Sequence, residues 1–230
     1  EVIAPRHGAV TLRSACQSDM ARRVVGEAMV LCGTATADFF TERSLPAPFR
    51  VQPAPKQPPL PAGLYTEPVD IYALLKHMSA AHGATRAGRH AVLAVDGYVQ
   101  ATSPLRRASD LLAQRQMIAA LRDQAQPLSG TAIRKALRAG EERMRRQRAI
   151  ERKARRYFTL VALAARGLGT VLRGQLVDDP QRRGRPLAYV PELAIDVELP
   201  QSAGEPGLWC EFVVEQVVPT EGRLTVRVVA

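Results

Sequence analysis

The stretch Tyr98-Val99-Gln100-Ala101-Thr102-Ser103-Pro104-Leu105-Arg106-Arg107-Ala108-Ser109-Asp110-Leu111-Leu112-Ala113-Gln114-Arg115 joins two hydroxyl residues, a proline and paired arginines to the start of a helical pattern. That pattern predicts a helix over 105–124, with Pro104 just ahead of it, where a missing amide proton costs nothing. Thr102 and Ser103 then offer hydroxyls and backbone amides at a helix amino terminus, a place where aligned peptide dipoles favour a phosphate. Arg106 and Arg107 would follow in the first turn, each presenting a planar fork able to hold two phosphate oxygens. Taken alone, Ser-Pro-x-Arg-Arg also fits an ordinary helix cap with exposed arginines.

Upstream, Met20, Val24, Ala28, Cys32, Ala35 and Phe39 recur at helical spacing and predict a helix over 18–43, with Asp19 placed to cap it. Residues 46–68 hold eight of the seventeen prolines and read as an extended surface connector. A short helix fits 70–81 through Ile71, Leu74, Leu75 and Met78, and the apolar run Ala91–Val95 before Asp96-Gly97 reads as a strand with a turn behind it. A long helix is expected from Thr131 to about Ala165. On it Glu141, Glu142 and Glu151 stand four residues before Arg145, Arg146 and Arg155, the spacing that sets opposite charges side by side. A solvated face and a face turned toward a polyanion both fit that pattern.

After Gly167 the texture changes to short β-rich runs at Thr170–Val177, Ala188–Leu193, Val197–Leu199, Leu208–Val218 and Leu224–Val229, parted by Gly and Pro clusters. Five such runs suggest a small barrel of the OB-fold kind, with a boundary near 166. The net charge of +10 is uneven. Residues 86–166 carry sixteen Arg and two Lys against six acids, net +12, whereas residues 167–230 are net −3. A regional excess fits a surface that meets a polyanion. Twenty-eight arginines beside four lysines in an alanine-rich chain also fit a GC-rich genome. No run of eighteen apolar residues and no leader is visible, so neither a membrane span nor a secretory signal is expected. Cys16, Cys32 and Cys210 are sparse and unpaired in spacing, which suggests a reducing compartment.

The eighteen-residue stretch resembles the signature of the ribonuclease II/ribonuclease R (RNB) family, in which a Tyr precedes Thr-Ser-Pro-Ile-Arg-Arg-Tyr-x-Asp-Leu and a later His-Arg. Tyr98, Thr102, Ser103, Pro104, Arg106, Arg107, Asp110 and Arg115 match; Leu105, Ala108 and Gln114 depart from it. Residues 20–35 are similar to the family's Val-Glu-Glu-x-Met-x-Leu-Ala-Asn helix. There Glu27 matches the second Glu, while Gly26 and Gly33 replace the first Glu and the Asn. Residues 48–55 look like its Tyr-Arg-Val-His-Glu-x-Pro segment through Arg50 and Pro55, and Glu151 falls where the family has a Glu-Arg.

The resemblance implies an α+β chain: residues 1–166 as the carboxyl-terminal portion of an RNB catalytic domain of mixed helices and strands, and residues 167–230 as an OB-fold, S1-like RNA-binding barrel. It implies 3′→5′ hydrolysis of single-stranded RNA to mononucleotides with magnesium, by a monomeric enzyme of the bacterial cytoplasm or of an organelle. Arg106 becomes the catalytic candidate, neutralising the scissile phosphate. Tyr98, Thr102, Ser103, Arg107, Arg115, Glu27 and Glu151 become candidate RNA contacts. Arg107 and Arg115 can equally brace Asp110 and Glu27. The family's metal-binding aspartates precede all these motifs, so no metal ligand is assigned here. Magnesium is expected on an upstream part of the same domain, and Asp178-Asp179 reads as a turn. The alternatives are a family member that grips RNA without cutting it, and an unrelated basic helical DNA-binding protein.

Overall fold

The computed structural model describes residues 2–3, 9–12, 20–177, 186–199 and 204–229. Asp19, the pair Asp178-Asp179 and the arginines Arg182, Arg183 and Arg185 lie outside them. In chain order the elements begin with strands β1 (Val2–Ile3) and β2 (Thr11–Leu12), helix α1 (Met20–Glu42), strand β3 (Phe49–Val51) and helix α2 (Pro68–His77). Strand β4 (His82–Ala84), a 3-10 turn (Ala91–Leu93), helix α3 (Ala108–Leu121) and helix α4 (Gly130–Arg166) follow. The last stretch holds β5 (Val171–Val177), β6 (Leu187–Val190), β7 (Ile195–Glu198), β8 (Trp209–Val218) and β9 (Arg223–Val228). Two compact units share these elements. One comprises residues 16–56 and 78–147; the other comprises residues 1–15, 57–77 and 148–230.

The second unit is a five-stranded antiparallel sheet in the order β7-β6-β5-β8-β9, in which β7 also approaches β9, so the barrel is nearly closed. Strand alternation sends Leu172, Leu176, Val190, Val197, Phe212, Val214 and Val226 inward, and Leu160 and Leu163 from the end of α4 complete the same core. Gly174 is required by the closure: a Cβ there would stand 2.8 Å from the carbonyl oxygen of Tyr189 and 3.0 Å from the Phe212 ring. Helix α2 is tied to the barrel by buried Gln175, whose Oε1 accepts the Val69 amide at 3.1 Å and whose Nε2 donates to Gly207 O at 3.0 Å.

The first unit packs α1 and α3 around Ala37, Phe40, Ala47, Phe49, Val99 and Ala113. Complete burial of Phe40 and Phe49 stabilises by ~1.5–3 kcal/mol each. The proline-rich connector is not wholly irregular: β3 lies in it and pairs antiparallel with β4, Arg50 opposite Gly83. The other edge of β3 is also used, the Arg50 and Gln52 amides donating to Tyr98 O (2.8 Å) and Arg89 O (2.9 Å), and the strand ends before Pro53, which has no amide proton to give. The run Ala91–Val95 is a 3-10 turn closed by Ala94 at φ +56°, not a strand. His90 bonds back to Val95 O at 2.8 Å, and that turn uses the hydrogen bonds a strand would have offered to a neighbour.

Helix α1 carries an 18-residue window of mean hydropathy 1.2, enough by length and composition to cross a bilayer. Its second half instead buries Gly33, Thr36, Ala37 and Phe40 in the unit's core. The exposed apolar residues Met20, Val24, Val25 and Leu31 belong to the earlier turns.

Gln116 staples this unit. It is fully buried, donates to Pro46 O (3.1 Å) and Leu128 O (3.0 Å), and accepts the Leu128 amide at 3.0 Å. Gln116→Leu leaves three backbone groups unpaired in the interior and should cost about 3 kcal/mol. Urea denaturation followed by circular dichroism checks this; a loss below about 1 kcal/mol would show that water replaces the staple.

Candidate functional site

Five of the residues singled out in the sequence, Tyr98, Thr102, Ser103, Arg106 and Arg107, meet on one short segment that leads into α3. The segment is held by Asp110, which is completely buried in the helix's first turn. Its Oδ2 accepts Nε and Nη2 of Arg107, at 2.9 and 2.6 Å, and the Ser103 amide at 2.9 Å. Its Oδ1 accepts the Ser109 hydroxyl at 3.0 Å. Arg107 Nη2 also reaches Thr102 Oγ1 at 3.4 Å. Ser103 O accepts the amides of both Arg106 and Arg107, at 3.2 and 3.0 Å, which closes the turn.

Helix α3 therefore starts at Ala108, with Arg107 as its extended N-cap, and not at Leu105. The first-turn position expected for Arg106 and Arg107 is thus corrected: both precede the helix. The expected phosphate site on the Ser103 amide changes too, because that amide already serves the chain's own carboxylate. Asp110 stands where the helix dipole favours an anion, so an internal anion takes the place imagined for a ligand. Arg107 is an internal brace, with Nε and Nη2 both engaged by Asp110. Arg106 is exposed, and its link to the turn is a marginal 3.5 Å contact between Nη2 and Ser103 Oγ.

Two further contacts fix the segment. Gln114, which stands in place of the expected His, donates to Ala101 O at 2.7 Å from the second turn of α3. Tyr98 lies against α1 at Gly33, where a Cβ would fall 2.1 Å from its ring, and the Val99 amide donates to Gly33 O at 3.0 Å. Glycine is what admits the ring. Burial raises the Tyr98 phenol above its ordinary pKa, opposed by Arg107 and assisted by Asp110 and Cys32, so it remains protonated at neutral pH. The His90 ring meets Tyr98 edge-on at 5.7 Å, and burial followed by repulsion from Arg50 lowers the His90 pKa.

The other candidates stand apart from this turn. Arg115 is exposed further along α3, and Glu27 is exposed on the first half of α1. Glu151 is exposed on the second half of α4, in the barrel unit. The forward pairing of the glutamates holds for Glu142 with Arg146, at 2.6 Å. Glu141 departs from it and joins Arg50 (3.4 Å) and the Gly83 amide instead. Arg50 also donates to Ala81 O at 2.9 Å, so it ties β3 to β4 and α4. Periodicity along one helix could not reveal a partner on another element. Among the described residues no group of three or more His, Cys, Asp and Glu side chains is arranged to hold a metal ion. In the barrel, Phe212 is in the core and Tyr189 packs by Tyr72. Trp209 is partly exposed, with the Arg173 guanidinium 5.1 Å from its ring centre.

Residues 63–123 match the RNB domain family. A protein of Synechocystis named an uncharacterized ribonuclease is 31% identical over 205 residues, covering 79% of this chain and 30% of that protein. The chloroplastic/mitochondrial ribonuclease II of Arabidopsis thaliana is 43% identical over 108 residues, covering 46% of this chain and 13% of the relative. The chain thus spans less than a third of the length of these curated relatives. Among solved structures, the Dss1 exoribonuclease of Candida glabrata superimposes with a TM-score of 0.80 at 20% identity, over 98% of this chain and 30% of its own. Mycoplasma genitalium RNase R in complex with ribose-methylated single-stranded RNA gives 0.78 at 16% identity, over 100% of this chain and 45% of its own.

Asp110→Ala strands the Arg107 guanidinium and the Ser103 amide, and Arg107→Ala strands a buried carboxylate. Each single change should cost ~3–5 kcal/mol, and the double variant less than their sum. A double-mutant cycle by urea unfolding reads the coupling; strict additivity would mean that the pair does not hold the turn.

Proposed function

The chain is a relative of the RNB-family exoribonucleases, and on that premise we propose that it acts within a magnesium-dependent enzyme removing mononucleotides from the 3′ end of single-stranded RNA. Its own part is to grip the strand and neutralise the reacting phosphate. The observation that supports this most directly is Arg106, an exposed guanidinium on a turn whose shape is set from beneath by Asp110, Arg107 and Gln114. The backbone that carries Arg106 is held in place beforehand, so only its side chain has to move to a phosphate whose charge it neutralises. Thr102, also exposed, supplies a hydroxyl beside it. Arg107 positions and does not touch substrate.

The described side chains do not fit the magnesium that the relationship implies. Asp110 is enclosed by its own donors, and Asp96 pairs with Arg89 at 2.7 Å. In this proposal the metal-binding carboxylates come from an upstream part of the same domain. Exposed Met20, Val24 and Leu31, which share one face of α1, support such a neighbour. The barrel is read as an OB-fold from its strand order, with Trp209 and Arg173 as its surface for a nucleic acid base.

In the enzyme extended by its upstream coding sequence, Arg106→Ala should lower kcat roughly 100- to 1000-fold while RNA affinity changes only a few-fold. Single-turnover kinetics beside an equilibrium titration checks this, and equal losses in both would reduce Arg106 to a backbone contact. The 230 residues alone should release no mononucleotides, with or without magnesium. Chelator-sensitive hydrolysis by the purified chain would overturn the division of labour.

A further inference from the structure

Helix α4 begins beside the ribbon formed by β3 and β4, and along that junction the first unit is hollow. Two adjoining cavities of about 550 and 540 Å³ lie there, sharing Thr85, Arg86 and Arg134 as walls. The first is floored by buried Phe40 and Phe49 and reaches the opening turn of α4 at Gly130 and Thr131. The second continues past Arg138 toward Glu141. No residue of the Thr102–Arg107 turn lines either one.

The charges along this groove are one-sided. Arg86, Arg134 and Arg138 are exposed, and none forms an ion pair among the described residues. Glu141, the acid in the lining, is already engaged by Arg50 and the Gly83 amide. Arg134 and Arg138, four residues apart, stand on successive turns of one helix face, about 6 Å apart along the axis. Like charges at that spacing repel and destabilise the bare helix, a cost that a polyanion laid between them would remove. Each cavity has the volume of a small-ligand pocket, and the two adjoin along the shared walls of Arg86 and Arg134.

We propose that this groove is a second contact site for the phosphodiester backbone of single-stranded RNA, separate from the turn that carries Arg106. The proposal rests on the RNA-degrading function and adds to it a grip on the strand away from the reacting phosphate. Arg86, Arg134 and Arg138 neutralise successive phosphates, and the hydroxyls of Thr85 and Thr131 lie along the same path. A positive groove that follows the backbone is sequence-tolerant, because every nucleotide presents the same phosphate.

The test is an equilibrium titration of the full chain with labelled RNAs of roughly 5 and roughly 20 nucleotides at several salt concentrations, with a mononucleotide 5′-phosphate as a third ligand. The groove variant is Arg86→Gln with Arg134→Gln and Arg138→Gln. A control variant, Arg122→Gln with Lys135→Gln and Arg145→Gln, removes equal charge from exposed positions of the same unit outside the groove. Loss of three phosphate contacts should make the log–log salt slope for the longer RNA shallower by about 2. Affinity at low salt should drop roughly 10- to 100-fold, and the shorter RNA and the control variant should change less. Replacing the three arginines by lysine should preserve the slope, since counterion release follows charge and not the fork.

Indistinguishable groove and control variants would overturn the proposal. So would an effect confined to the mononucleotide, which would make the groove a single-phosphate pocket. If the unaltered chain binds no RNA at any salt concentration, the functional reading itself falls, an outcome separate from failure of the groove alone.

Discussion

A carboxylate without solvent must be given donors by its own chain, and Asp110 collects four from three residues: Arg107 twice, the Ser103 amide and the Ser109 hydroxyl. That one requirement shapes the segment from Thr102 to Ala108. It pulls Arg107 inward, takes the Ser103 amide and delays the start of α3 until Ala108. Adjacent arginines consequently have unlike fates. Desolvation makes the pair costly to break from either side, whereas Arg106 loses almost nothing by leaving Ser103 for another oxygen. An enclosed brace next to an exposed charge is how a flexible side chain comes to sit on a rigid base.

The rigidity extends beyond the turn through backbone contacts. The Val99 amide is bound to Gly33 O on α1, Tyr98 O accepts the Arg50 amide at 2.8 Å, and Gln114 holds Ala101 O. Each link uses a main-chain group, so it constrains the path of residues 98–101 whatever side chains they bear. Two departures from the family pattern, Gln114 and Gly33, find places here. Gln114 makes a backbone hydrogen bond from its position, and Gly33 vacates the space that the Tyr98 ring occupies.

Where period and burial agree, the chain was legible. The five β-rich runs after Gly167 are the five barrel strands to within a few residues, because alternation is enforced on every strand with one face in a core. Helices α1, α3 and α4 likewise appear where the periodicity puts them, apart from the delayed start of α3. Ala91–Val95 was misread because an apolar run of five fits a strand or a turn equally, and the left-handed Ala94 has no sequence mark of the kind a glycine provides. The strand in the proline-rich connector was missed because its partner, β4, lies some thirty residues away. That Arg107 braces Asp110 was one of two roles the family resemblance left open in the sequence; the partnership of Glu141 with Arg50 was not legible there, since it spans 91 residues.

That difference bears on how the basic charge should be read. The +12 of residues 86–166 cannot by itself separate a biased genome from an RNA surface, because both raise the arginine count. Placement bears on the choice. Arg107 is enclosed by Asp110, Arg89 pairs with Asp96, Arg146 with Glu142, and Arg156 donates to the carbonyl oxygens of Gly222 and Asp196. Arginines gained by drift should settle among such partners or scatter singly over the surface. Arg86, Arg134 and Arg138 line two adjoining cavities whose one acid, Glu141, is already engaged. Some of the described arginines therefore complete the fold, and others, Arg115, Arg122 and Arg145 among them, are exposed singly. On the proposed reading, Arg106 and the groove arginines are the ones that meet phosphates.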